Sequence, residues 1–166
     1  MAATAYLSIT GQKQGHIQGS VTLKGKEGQI AVYAVNHEIL SPRDPASGLP
    51  TGRRMHKPLI ITKELDKSTP LLYNSLTTNE NLPEVILRFW APSMHAGSGS
   101  GMEIQNFTIK LTNASISLIE LDMENNKLTE LIKLPVLQRI SFTYQKIEWT
   151  WVDGGITATD DWEANV

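Results

Sequence analysis

Four histidines, at positions 16, 37, 56 and 95, are the first candidates for acid–base or metal chemistry in this chain of 166 residues. Helical metal sites place two histidines at i and i+4, and zinc proteases carry H-E-x-x-H; neither spacing occurs here. The four read as isolated surface or rim histidines. General acid–base work by paired carboxylates requires rigid placement and a perturbed environment. Asp160 and Asp161 lie in an acidic, polar stretch (153–166) and read as part of a solvated C-terminal tail. Gly97, Gly99 and Gly101 give G-x-G-x-G, but no strand-to-helix context surrounds them, so a phosphate loop is a poor match. Ser8, Ser41 and Ser75 lack a G-x-S-x-G setting. The chain has no cysteine, which excludes disulfides, thiolate zinc sites and cysteine nucleophiles. No catalytic, cofactor or metal site is expected, and the chain reads as a non-enzyme.

Positive charge collects instead at Arg43, Arg53, Arg54, His56 and Lys57, in a long loop over 41–56 and at its exit. The loop holds prolines and glycines but no apolar periodicity, and structureless loops beyond about 12–15 residues usually have a job. A nucleic-acid site would interleave aromatics and carry a basic surplus, and this loop does neither. Asp44 beside Arg43 makes it mixed in sign. A protein–protein contact and a merely solvated loop are equally open readings. If it is a contact, Ser41, Pro42, Arg43, Asp44, Arg53, Arg54 and His56 are its candidate residues. Trp149, Trp151 and Trp162 could stack on a sugar or base, but the first two stand at strand spacing and read as core.

The composition limits the field further. Lys plus Arg is 15 against 17 for Asp plus Glu, a net charge of −2. That argues against nucleic acid or an anionic membrane as partner. No stretch approaches about 18 consecutive apolar residues, so no membrane insertion is expected. The first ten residues lack a basic n-region and an apolar h-region. A dedicated machine would have to carry this protein out of a cell.

The dominant period is two, as in strands with one buried face. Phe107, Ile109 and Leu111 alternate with Thr108, Lys110 and Thr112. Leu59, Ile61 and Leu65 alternate with Thr62 and Glu64. Ile140, Phe142 and Tyr144 run in one phase, and Ile147, Trp149 and Trp151 in the other. That flip, at Gln145–Lys146, predicts a β-bulge, as does a second flip at Leu118–Ile119. Val85, Ile86, Leu87, Phe89 and Trp90 suggest a central strand, with shorter strands over 6–10 and 29–36. A helix is expected from Pro70 to about Thr78, capped by Ser68 or Thr69, with Leu72, Tyr73 and Leu76 as its apolar stripe. The stretch 125–135 fits a helical turn or a lead-in to the next strand, and 96–101 a hairpin tip. The fold class is mainly β: one domain over 1–166, a small closed or nearly closed barrel of bent antiparallel strands with one flanking helix.

Read in order, several stretches resemble the hemolysin-coregulated protein (Hcp) family, whose members form the tube of bacterial type VI secretion systems. They are ITGQKQGHI (9–17), SPRD (41–44), SG (47–48), GRRMHKP (52–58), ITKELDKSTPLL (61–72), TIKLTNASI (108–116), FTYQKIEW (142–149) and DDW (160–162). Gln145 departs from the family pattern, which commonly has arginine there. The resemblance implies a homohexameric ring with a wide channel, and rings stacked into a tube inside a contractile sheath. It implies spike, sheath and baseplate proteins as partners, effectors bound and stabilised in the channel, and no cofactor. Assembly in the bacterial cytoplasm followed by secretion is implied as well. A secreted β-barrel that binds a small ligand is the alternative.

Overall fold

Long strands with one apolar edge must curl to bury it, and β9 (Glu103–Asp122) is the strand around which this chain curls. The computed structural model describes residues 3–93 and 102–162. The tip expected at 96–101, His95 and residues 163–166 lie outside the described residues. Before β9 come β1 (Thr4–Gly11), β2 (Gly15–Ile17), β3 (Ile30–Val32), β4 (Ala34–Asn36), β5 (Ile39–Leu40), β6 (Met55–His56), β7 (Leu59–Glu64), α1 (Thr69–Thr77) and β8 (Leu82–Pro92). After it come β10 (Leu137–Thr143), β11 (Lys146–Trp151) and β12 (Ile156–Asp161).

All pairings are antiparallel, in the order β1-β8-β9-β10-β7. The run expected over 29–36 breaks at Tyr33. Its first part, β3, pairs with β1, and its second, β4, pairs with β7. Tyr33 N donates to Thr62 O at 2.8 Å across the junction. One extended segment thus passes from one edge of the sheet to the other, and the barrel is nearly closed. Beside β10, β9 also pairs through Phe107–Thr112 with β11, whose outer partner is β12.

β9 bends at three places. Asn106 and Ser117 are each an extra residue against the partner strand, since Phe107 and Gln105 face consecutive residues of β8, and Ile116 and Leu118 consecutive residues of β10. The bulge expected at Leu118–Ile119 therefore lies at Ser117. The flip at Gln145–Lys146 is not a bulge. Two residues separate Thr143 from Lys146, and two separate their partners Ser115 and Thr112, so nothing is inserted. The phase changes because Tyr144 and Gln145 leave the ladder opposite Asn113, whose φ of 50° turns the strand.

The inward positions fill the barrel with Leu7, Ile9, Ile17, Ile30, Leu59, Ile61, Val85, Leu87, Leu111, Ile140, Phe142 and Ile147. The alternation in β7 has a surprise. Its third inward place is Lys63, with no exposed surface, and Leu65 lies outside the strand and is exposed. Lys63 Nζ donates to Glu64 O (2.8 Å), Thr69 Oγ1 (3.1 Å) and Gln138 Oε1 (3.2 Å), and pairs with Asp66 Oδ1 at 3.0 Å. Burial lowers the lysine pKa, and the Asp66 carboxylate opposes the shift.

This network also changes the account of the helix start. Ser68 is the N-cap residue of α1, but its hydroxyl makes no capping bond. Its hydroxyl and its N–H both donate to Asp66 Oδ1. Thr69 Oγ1 accepts from Asp66 N and donates to Gln138 Oε1. The two hydroxyls therefore serve the buried lysine. Leu72 is fully buried and Leu76 partly so, as the stripe requires. The stretch 125–135 is a series of tight turns, with Leu128 N, Leu131 N and Leu134 N each donating to the carbonyl three residues back.

Candidate functional site

The loop 41–56 is an organised arm. Its flanks pair as β5 and β6, with Ile39 opposite His56 and Leu40 opposite Met55. An isolated bridge joins Arg43 to Pro50 nearer the tip. Asp44 builds the tip turn: its carboxylate accepts from Ala46 N (2.9 Å) and Ser47 Oγ (2.8 Å), and its carbonyl from Gly48 N. These bonds, led by that from Ala46, hold its pKa low. Gly48 turns the chain at φ 72°, where a Cβ would be strained. Two-residue strands around a Pro/Gly segment leave no periodicity to read, which is why the hairpin was not expected.

Of the candidate contact residues, Ser41, Arg43 and Arg53 are exposed, and Pro42 and Asp44 are half-buried. Ile39, Leu40, Leu49 and Met55 add exposed apolar surface to the same arm. Arg54 and His56 turn the other way, onto the barrel. Arg54 Nη2 donates to Asp160 Oδ1 at 2.7 Å and to Asp161 O at 3.2 Å, and Nε donates to Asp160 Oδ2. His56 Nε2 lies 2.6 Å from Asp160 Oδ2, and its Nδ1 lies 2.8 Å from the Tyr144 hydroxyl. His37 Nε2 reaches the same hydroxyl from the other side at 2.8 Å.

Two expectations are corrected by this cluster. His37 and His56 are not isolated, because the hairpin brings both ends of the arm to one tyrosine. Asp160 and Asp161 do not lie in a loose tail, because residues 156–161 form β12 on the edge of β11. Trp162 Nε1 donates to Tyr144 O, and its ring lies 5.8 Å from that of His56. The tail reads as solvated because β12 is an edge strand whose own residues are mostly polar and exposed.

The electrostatics follow from the geometry. The Arg54 hydrogen bond, seconded by that from His56, holds Asp160 below the usual carboxylate range. Burial, then the Asp160 charge, pushes the Tyr144 phenol up, so it stays protonated. Burial, then the proximity of His56, lowers His37. Among the described residues no group of three or more His, Cys, Asp or Glu could hold a metal. The cluster holds an arm; it presents no nucleophile to solvent.

Comparison with known proteins fixes the family. Residues 6–151 match the model of the type VI secretion system effector Hcp. The chain belongs to the Hcp family. A curated relative, the "major exported protein" of Pseudomonas aeruginosa, is 39% identical over 100% of this chain and 99% of its own. A crystal structure of an Hcp protein superposes with a TM-score of 0.87 at 34% identity, covering 99% of this chain and all of the other. Secreted Hcp3 from Pseudomonas aeruginosa gives 0.76 at 32% identity, over 98% of this chain and all of the other. The family is that of the secreted type VI tube protein, and the arm lies within the residues that the family model matches.

Proposed function

We propose that this Hcp chain is a non-enzymatic structural subunit of the type VI inner tube. It forms homohexameric rings that stack, travel out with the spike, and bind or chaperone effectors in the channel. The observation that carries this reading is the end-to-end likeness to Hcp chains in both sequence and fold. In this reading spike, sheath and baseplate proteins are the further partners, and the protein assembles in the cytoplasm and is then secreted by the type VI system.

The exposed side of the arm is the surface proposed to meet a neighbouring subunit or ring, through Ser41, Pro42, Arg43 and Arg53, with Asp44 shaping the tip. Arg54 and His56 contribute by fixing the arm's base. A single exposed ion pair is worth about 0.2–1 kcal/mol, but six copies give roughly 1–6 kcal/mol per joint. Such a joint is reversible and salt-sensitive.

The ligand-binding alternative has less support. The barrel interior is filled by its own Ile, Leu and Phe side chains. Three surface clefts measure about 230, 250 and 270 Å³, below the usual range for small-molecule sites of about 300–1,000 Å³. Cargo therefore belongs in the ring channel. Native mass spectrometry should show a dominant six-subunit species, and electron microscopy should show rings with an open centre. A monomer independent of concentration would overturn the reading. Arg43→Glu with Arg53→Glu should leave the fold intact and weaken stacking or the subunit contact.

A further inference from the structure

The arm is held to the barrel by the Arg54–Asp160 pair and by one hydroxyl shared by two histidines. Arg54, His56 and His37 come from the arm and its stem, and Tyr144, Asp160 and the Asp161 carbonyl come from the body. Glu38 and Lys57 pair with each other at 2.9 Å within the stem. At the tip, the Asp44 bonds to Ala46, Ser47 and Gly48 stay inside the arm.

The donors and acceptors of the bridge cannot all be matched when both histidines are protonated. Asp160 is an acceptor, so His56 donates from Nε2, and in the neutral ring Nδ1 is left as a lone pair. The Tyr144 hydroxyl donates to that lone pair, and its oxygen accepts the Nε2–H of His37. A proton added at His56 Nδ1 points a second N–H at the tyrosine oxygen. The hydroxyl must then turn its hydrogen to His37 Nε2, which accepts only while His37 is neutral; with both rings protonated the phenolic hydrogen has no acceptor, at a residue only 5% exposed. A proton added to His37 brings a cation into a half-buried site beside His56. Asp160 offsets charge on His56, yet it is already engaged by Arg54.

We propose that the arm over 37–57 is a strap that acid releases, because the His37–Tyr144–His56 bridge closes only while at least one of its two histidines is neutral. Burial and the neighbouring His56 lower the pKa of His37 in the closed form, whereas in an open arm it titrates as a free histidine, near 6.5. The open form therefore binds a proton that the closed form refuses. Acidification favours opening, by up to tenfold per pH unit per proton. Between pH 7.5 and 5.0 one such histidine raises the open population by up to about 30-fold. The release is a property of the single chain, whether or not rings form.

The test is amide hydrogen exchange on the full-length protein at pH 7.5 and 5.0, corrected for intrinsic exchange rates. Amides of β5 and β6 should lose roughly tenfold or more of their protection at the lower pH, while those of β8 stay within about twofold. His37→Gln keeps a donor for the tyrosine oxygen but cannot be protonated. Its arm should be protected at pH 7.5, and the pH effect should fall below about threefold. Unchanged arm protection in the parent, or an equal loss in His37→Gln, would overturn the proposal. Should that variant not fold, the His37 ring is titrated by NMR in the parent. A midpoint below about 6.5 that tracks the loss of arm protection supports release, and a midpoint at or above it refutes it.

Discussion

Lys63 and Asp66 offer the sharpest test of the core, because the two members of the pair are not buried alike. The lysine side chain has no exposure, whereas the aspartate side chain retains 13% and has two further donors on Ser68. Removing the cation (Lys63→Met) replaces a desolvated ammonium by an apolar stem of similar length. It leaves Asp66 with Ser68 and some water, so the cost should be about 1–3 kcal/mol. Removing the anion (Asp66→Asn) strands a fully buried ammonium, for which about 3–5 kcal/mol is expected. The lysine has an escape: it can give up its proton. From a free-lysine pKa of 10.4, that costs about 4.6 kcal/mol at pH 7 and sets the ceiling. In that form the unfolded chain binds the extra proton, so the stability of Asp66→Asn should rise with pH, by up to about 1.4 kcal/mol per unit between pH 7 and 9. Urea unfolding of both single variants and the double variant at pH 7, 8 and 9 measures every term. The double variant should be more stable than Asp66→Asn alone. If Asp66→Asn costs no more than Lys63→Met, or if its deficit does not change with pH, Lys63 is not the stranded charge described here.

Two further outcomes concern the helix. Glu80 accepts from Lys13 N (2.6 Å), Gln14 N (2.8 Å), Gln14 Nε2 (2.7 Å) and Ser75 Oγ (3.1 Å), tying the β1–β2 turn to the end of α1. Glu80→Ala should cost about 2–4 kcal/mol in thermal or urea melts, and a loss below about 0.5 kcal/mol would contradict that anchoring. Leu72→Ala should cost about 2–5 kcal/mol, against about 1 kcal/mol for Ser68→Ala, whose hydroxyl makes no cap. Equal costs would place the helix packing elsewhere.

The strands were legible in the sequence where alternation ran for five residues or more, as in Phe107 to Leu111 and Ile147 to Trp151. The helix was found to within one residue because Pro70 marks its first turn. Periodicity failed at Lys63, where a charged residue takes an inward place and only its four partners, spread from Glu64 to Gln138, make that tolerable. It failed again at β5 and β6, which are too short for any period to show. The arm's base was hidden for a topological reason. His37 and His56 stand 19 positions apart, and Tyr144 and Asp160 lie far down the chain. The pairing of Ile39 with His56 first brings the two histidines together, and the outermost strand then delivers the carboxylate. The charged loop itself was visible from its arginines, but which of them face outward depends on the twist of a hairpin that composition does not encode.

The course of β9 has a consequence for how the chain reaches its native state. β8 lies along one edge of this strand, and β10 and β11 follow one another along the other, so the barrel cannot approach closure until β9 and then β10, through residue 143, are available. β1, paired to β8, and β7, paired to β10, are joined to each other only through the short handover at Tyr33 until then. Most of the ladder joins residues distant in sequence: Thr4 faces Trp90, and Leu59 faces Phe142. Chains dominated by such pairings fold in milliseconds to seconds rather than microseconds. On the ribosome the first hundred residues would wait with unpaired edges for β9, and then β10, to arrive. Folding should then be one cooperative event gated by β9, and a chain truncated before Asp122 should fail to hold even its N-terminal half together.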